Sequence, residues 1–233
     1  MNTFFKKNQQ KSLPFFLSTL LSALLILLPL FSLSACKKEV DYYSYVSELR
    51  SNIFLAETDE FSLRIHSINK EIPYAADGIP KRTTTLTEVK LTAPDGAKTC
   101  NISLQVNGKE YGGEMSFDNV KTEYYLSCTL NTSDCRSIPC SITYGEKSFR
   151  LEATSVRADN TLTTKAALQR LVHTEKDLFT SLTDKYGFAG EIHIRMIFEN
   201  SPYYYVGIID RKGNINAFLL NAETGKILAK RQN

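Results

Sequence analysis

The side chains able to run acid–base or nucleophilic chemistry are few in this chain, and they are scattered. Its 233 residues include three histidines, His66, His173 and His193. A nucleophile needs its base within hydrogen-bond reach. The three lie in separate segments: His66 in "EFSLRIHSI", His173 directly after Leu171-Val172, and His193 in "EIHIRMIF". The sequence contains no G-x-S-x-G elbow and no G-x-x-x-x-G-K-[ST] loop to cradle a phosphate. Histidines at metal-binding spacing are also missing. Thr58-Asp59-Glu60 and Asp134 in "TSDC" read as solvated turn residues rather than calcium ligands. The expectation is a protein with no catalytic residue, no metal and no cofactor. The competing reading is a cell-envelope hydrolase whose carboxylates or histidines converge only in the fold.

Cysteine offers other chemistry. Cys100, Cys128, Cys135 and Cys140 lie within some forty residues. An even number of cysteines in an exported chain suggests two disulfides, and four cysteines allow three connectivities. Four reduced, buried thiols are the alternative. Zinc fits less well: "CRSIPC" has no second pair like it and no histidine near it.

Whether the chain is exported depends on its first 36 residues. Lys6, Lys7 and Lys11 precede an apolar run from Leu13 to Phe31, and then comes Leu33-Ser34-Ala35-Cys36. A positive start, an apolar middle and small residues before a cut are the layout of a secretory signal. The run is also about long enough to span a bilayer. Leu-Ser-Ala-Cys resembles the lipobox of bacterial lipoproteins of Gram-positive type. The resemblance implies that residues 1–35 are removed, that Cys36 carries fatty chains, and that residues 36–50 tether the rest to the outer side of the membrane. Two acyl chains suffice for stable anchoring, each buried CH₂ contributing about 0.8 kcal/mol. An uncleaved anchor helix would export the chain as well.

Charge narrows the partners. Of 28 basic and 25 acidic residues, three basic ones and no acidic one lie in the leader, so the remainder carries 25 of each sign. Nucleic acid is therefore not expected as a partner. The expected partners are the membrane, through the lipid on Cys36, and an envelope protein or polymer.

From Ser51 the pattern alternates with a period of two. Short β-branched or aromatic runs are separated by turn signals at Asp77-Gly78, Asp95-Gly96, Asn107-Gly108, Gly112-Gly113 and Tyr144-Gly145. Residues 51–157 are expected to form an antiparallel, sandwich-like β domain. After Arg157 the period becomes helical, with Leu168, Leu171, Val172, Phe179, Leu182 and Tyr186 on one stripe. Asn160 or Thr163 could cap the start and Gly187 the end, and Thr174 offers a second start. A three-stranded antiparallel meander then closes a smaller α+β domain, residues 158–233. The tyrosine clusters at 42–45, 124–125 and 203–205 each place at least one ring in a core, because neighbours in a strand point opposite ways.

The last hairpin carries a motif. Asn221-Ala222-Glu223-Thr224-Gly225-Lys226-Ile227-Leu228 follows an aromatic strand, "YYYVGIID", and a helix. This stretch resembles the PepSY repeat, with Asn221 where the family usually has Asp. The resemblance implies an extracytoplasmic module without catalysis, of a kind found in protease propeptides and envelope proteins and proposed to restrain peptidases. The fold class expected overall is α+β, and the function expected is that of a non-catalytic, membrane-anchored binding protein.

Overall fold

The computed structural model describes residues 39–73, 79–80, 82–93 and 98–232. The signal, Cys36 and the Asp-Gly turns at 77–78 and 95–96 lie outside the described residues. From Val40 onward the chain is one compact unit. It is mostly β, with two helices. No helix among the described residues is long and apolar enough to cross a membrane.

The first nine strands are β1 (Val46–Glu57), β2 (Ser62–Glu71), β3 (Thr83–Thr92), β4 (Cys100–Val106), β5 (Lys109–Glu114), β6 (Ser116–Asp118), β7 (Glu123–Cys128), β8 (Ser137–Tyr144) and β9 (Lys147–Ser155). Two helices follow, α1 (Thr164–Thr174) and α2 (Lys176–Ser181), then a two-residue hairpin, β10 (Thr183–Asp184) with β11 (Gly187–Phe188). Four strands end the chain: β12 (Gly190–Phe198), β13 (Pro202–Asp210), β14 (Ile215–Asn221) and β15 (Ile227–Gln232).

Alternation makes the strands, and burial shows which face is inside. In β8, Ile138, Cys140, Ile142 and Tyr144 are buried while the residues between them are not. Hydrogen bonding runs β6–β7–β3–β2–β1–β9–β8–β4–β5. β5 and β6 are joined by the single residue Met115, whose amide donates to Cys100 O at 2.8 Å. The last strand of the series therefore leads into the first, and the antiparallel sheet is nearly closed, more barrel than open sandwich. Phe54, Leu63, Ile65, Val89, Leu91 and Ile142, all 0% exposed, fill its interior. Gly112-Gly113 was expected to form a turn but lies inside β5. A Cβ on Gly112 would stand 2.0 Å from Ile102 O, so the glycine is there for close strand approach. Asn107-Gly108 does turn, both residues with positive φ.

The second half differs from expectation in three ways. The meander has four strands, β12 to β15, rather than three. The segment expected to be a tether up to residue 50 is folded from Tyr42: Tyr42–Tyr45 form a 3-10 turn, and β1 begins at Val46. Its tyrosines pack against the helix-side core, where Tyr42 meets the rings of Phe179 and Phe188 edge-on at 4.8 and 5.4 Å. The helical stripe also stops early. Thr163 Oγ1 accepts from Ala166 N and starts α1, which buries Ala167, Leu168 and Leu171. α2 ends at Ser181 because Phe188 is drawn back into the aromatic cluster. Gly187 (φ 126) allows this, since a Cβ there would lie 2.4 Å from Tyr45 Oη.

β1 belongs to both halves. β2 pairs along nearly all of one edge. The other edge is divided: Val46 to Arg50 pair in parallel with β12, and Phe54 and Leu55 pair antiparallel with β9. Level with this change, the β2 pairing on the opposite edge is bulged between Arg50 and Asn52. The sheet thus runs unbroken from β6 to β15 across the boundary expected at residue 157.

With a shared strand, the two cores are expected to unfold together. Phe54→Ala in the barrel core should cost about 3–5 kcal/mol and Leu171→Ala under the helices about 2–5 kcal/mol. Either substitution should shift a single denaturant transition, followed in the full chain by circular dichroism and tyrosine fluorescence. Two separated transitions would contradict this.

Candidate functional site

The nearly closed sheet is full of side chains, but a polar cleft of about 300 Å³ opens where the sheet passes beneath the helices. The pairings Leu49–Asn69 and Asn69–Thr85 lay one cross-strand row along its floor, with Ser67 beside them. Tyr43, the start of α1 at Thr163 and Thr164, Arg157 and the 131–134 loop form the walls.

A buried amide holds two of these walls. Asn52, 1% exposed, lies just past the bulge in β1. Its Oδ1 accepts from Ile53 N (2.9 Å) and Ser155 Oγ (2.8 Å), and its Nδ2 donates to Cys135 O (3.4 Å). Ser155 Oγ in turn accepts from Arg157 N at 3.1 Å. The 131–135 loop is further pinned by Thr87 Oγ1, which donates to Leu130 O at 2.9 Å and lies 3.2 Å from Thr132 Oγ1. On the helix side, the Tyr43 hydroxyl lies 3.0 Å from Thr164 Oγ1.

Inside this frame two polar atoms have no partner. Asn69 Oδ1 and Arg157 Nε are buried without a hydrogen bond. Ser67, 2% exposed, lies beside them in the lining. Arg157 forms no ion pair among the described residues. A buried polar group left unpaired costs about 1–3 kcal/mol, a cost that ordered water or a ligand offsets where it reaches the group. Donor and acceptor are both present, which suits recognition of a polar molecule.

The other titratable residues are arranged differently. On the face of the sheet away from the helices, Glu48 Oε2 accepts from Arg195 Nη2 at 2.6 Å, and Glu48 Oε1 accepts from Arg50 Nε at 2.7 Å. Burial alone would raise the Glu48 pKa, but the two guanidinium groups outweigh it and hold the carboxyl below its ordinary value. Arg50 also lies 3.6 Å from Glu88, itself 3.9 Å from Lys70. His193 stands beside this row, 3.7 Å from Glu191 and 4.0 Å from Glu48; burial lowers its pKa against the pull of both carboxylates. His66, with Nδ1 buried and unbonded, is driven down to about 4 by burial, helped by Arg50, Lys90 and Arg64. His173 lies on α1, facing the Thr224-Gly225-Lys226 turn across a shallow groove. His66 and His193 thus border the same charged row, through Arg50 and Glu48, while His173 lies apart from it. Glu60 meets Lys147 Nζ at 3.2 Å, and Thr58 Oγ1 accepts from the amides of Glu60 and Phe61. Among the described residues no three His, Cys, Asp or Glu side chains gather as a metal site.

The four cysteines are free thiols. Register places Cys100 opposite Tyr144 and Cys140 opposite Leu104. Cys100 and Cys140 are thus offset by about 13 Å along paired strands, beyond the reach of a disulfide. Burial pushes both thiols up to about 11. Sequence reasoning missed the cleft, because no run of chemistry-bearing residues builds it; an arginine at the end of an alternating strand was the nearest signal.

Two predictions follow from these networks. Asn52→Leu leaves Cys135 O and Ser155 Oγ without their partner, and should lower stability by about 2–4 kcal/mol in denaturant unfolding; a loss under 0.5 kcal/mol would remove Asn52 from its role. His66 stays neutral in the fold while the unfolded chain binds a proton near pH 6.5. Stability is therefore complete above pH 6.5 and falls as pH drops toward 4, by roughly 2–3 kcal/mol. His66→Gln should flatten that part of the stability–pH curve, and an unchanged slope would refute the assignment. Compared with protein-family models, with curated proteins and with solved structures, the chain finds no match in any of the three, so the site is read from its own geometry.

Proposed function

We propose that the chain is a non-catalytic binding protein of a bacterial cell envelope, held on the outer side of the membrane by lipid on Cys36. The observation that carries the binding role is the cleft, where an unpaired donor, Arg157 Nε, and an unpaired acceptor, Asn69 Oδ1, are both buried and await a partner. Glu48 supports the same reading from the opposite face, since both its carboxylate oxygens are occupied by arginine and leave no free base there.

The C-terminal half is read as a PepSY-like module. Support comes from its order, helix and then antiparallel meander, and from its last turn. Asn221 Oδ1 accepts from Glu223 N, Thr224 N and Thr224 Oγ1 at 2.8–3.0 Å. The turn needs only an acceptor oxygen at this position, which Asn supplies as well as Asp. Arg170 of α1 donates to Thr224 O, and Leu162 N donates to Ala222 O, tying the turn to the helix.

A photo-crosslinking residue in place of exposed Asn131, at the rim of the cleft, tests this in intact cells. The control is the same residue at Val120, 93% exposed in the turn before β7. The expected result is a discrete adduct with an envelope component from position 131 and none from position 120, on a mature chain that begins at lipid-modified Cys36. No adduct, equal adducts from both positions, or a mature chain starting at Met1 would count against the proposal.

A further inference from the structure

Resting on that reading, we infer that the cleft takes a small monocarboxylate that also carries hydrogen-bond donors, seated on Arg157 and the start of α1. Three observations on charge and bonding lead there. The guanidinium of Arg157 lines the cleft without a carboxylate partner among the described residues, and its planar fork matches a carboxylate with two parallel N–H···O bonds. α1 is eleven residues long and has no acidic residue in its first turn. Its positive end, at Thr163 and Thr164, faces the cleft with one amide capped by Thr163 Oγ1 and no carboxylate in its own first turn. Lys165 adds a second positive charge near the rim, 6.0 Å from the Tyr43 ring.

The other groups set the rest of the ligand. Asn69 Oδ1 is a buried acceptor without a partner, and Ser67, 2% exposed, lies beside it in the lining. The Ser67 hydroxyl can give or take a hydrogen bond, while Asn69 Oδ1 can only accept, so it is completed by a molecule that offers N–H or O–H groups beside its anion. Asp134, the one acidic residue in the lining, asks for the same and opposes a doubly charged anion. Phosphate therefore fits less well than a carboxylate. A volume of about 300 Å³ lies at the small end of ligand cavities, so the site holds a terminus or a single unit, not a long stretch of polymer. Peptide C-termini and sugar acids share this chemistry.

The two sources can be told apart by titrating the full chain, in detergent micelles, by calorimetry. The probes are tri-alanine and its C-terminal amide, D-glucuronate and D-glucose, and inorganic phosphate. The expected result is saturable binding of tri-alanine or of glucuronate, with the uncharged counterpart and phosphate at least tenfold weaker. Arg157→Gln should weaken that binding at least tenfold with an unchanged melting curve. Should that variant fail to fold, Asn69→Leu should weaken it at least fivefold, and raised salt should weaken it further. Equal affinity for acid and neutral counterpart, tighter binding of phosphate, full affinity in the variants, or no saturation by any probe would overturn the inference. A partner crosslinked at position 131 with no probe bound would remove only the carboxylate. A bound probe that emerged chemically altered would instead remove the non-catalytic reading.

Discussion

A β-strand has two edges, and β1 must serve three neighbours. β2 takes nearly all of one edge, so the other is divided between β12, in parallel, and β9, antiparallel. On the divided edge the β12 pairing ends at Arg50 and the β9 pairing begins at Phe54, and level with this gap the β2 ladder on the opposite edge is bulged between Arg50 and Asn52. The polar cleft lies beside that break, with Leu49 and Ser51 of β1 in its lining. Because β12 uses residues 46–50 and β9 uses residues 54–55, the two do not compete for the same amides and carbonyls, and the helix-covered meander lies beside the nearly closed sheet.

The break also explains why a polar cleft survives between two well-packed cores. Past the bulge Phe54 enters the barrel interior, whereas Leu49 before it packs against the helix-side core. Between them Ser51 and Asn52 serve neither core with apolar surface. Asn52 instead satisfies its amide on Ile53, Ser155 and Cys135, and so holds the loop and the Arg157 linker apart at a fixed spacing. Burying Asn52 is tolerable because its three bonds offset the desolvation of the amide. Asn69 and Arg157, which line the cleft, each keep one buried polar atom without such compensation. The charged row on the opposite face works in the other sense. Glu48, Arg50 and Arg195 satisfy one another, so that face consumes its own charges in holding β1 to β12.

Much of the fold could be read in advance because its signals are local. Period-two runs became strands, Asn107-Gly108 became a turn, and Thr163 capped a helix where the stripe of leucines began. The errors arose where a distant contact decides. Gly112-Gly113 looks like a turn until Ile102 O presses against it from β4. Tyr42 and Tyr45 look like a tether until Phe188, more than 140 residues away, gives them a core to join. The pairing of Val46 with Ile192 carries no local mark at all. The cleft was the least legible part. Its lining comes from three strands, a loop, a linker and a helix cap, and each residue is ordinary in its own segment. Hydroxyls and amides inside alternating strands look like solvent-facing positions unless the covering elements are known.

The central claim is that the unpaired groups of the cleft are completed by a bound molecule. A high-resolution crystal structure of the protein taken directly from its native membrane would test it most directly. The account predicts non-protein density within hydrogen-bond distance of both Arg157 Nε and Asn69 Oδ1. Ordered water alone bridging the two, or an Arg157 side chain turned onto Asp134, would contradict it.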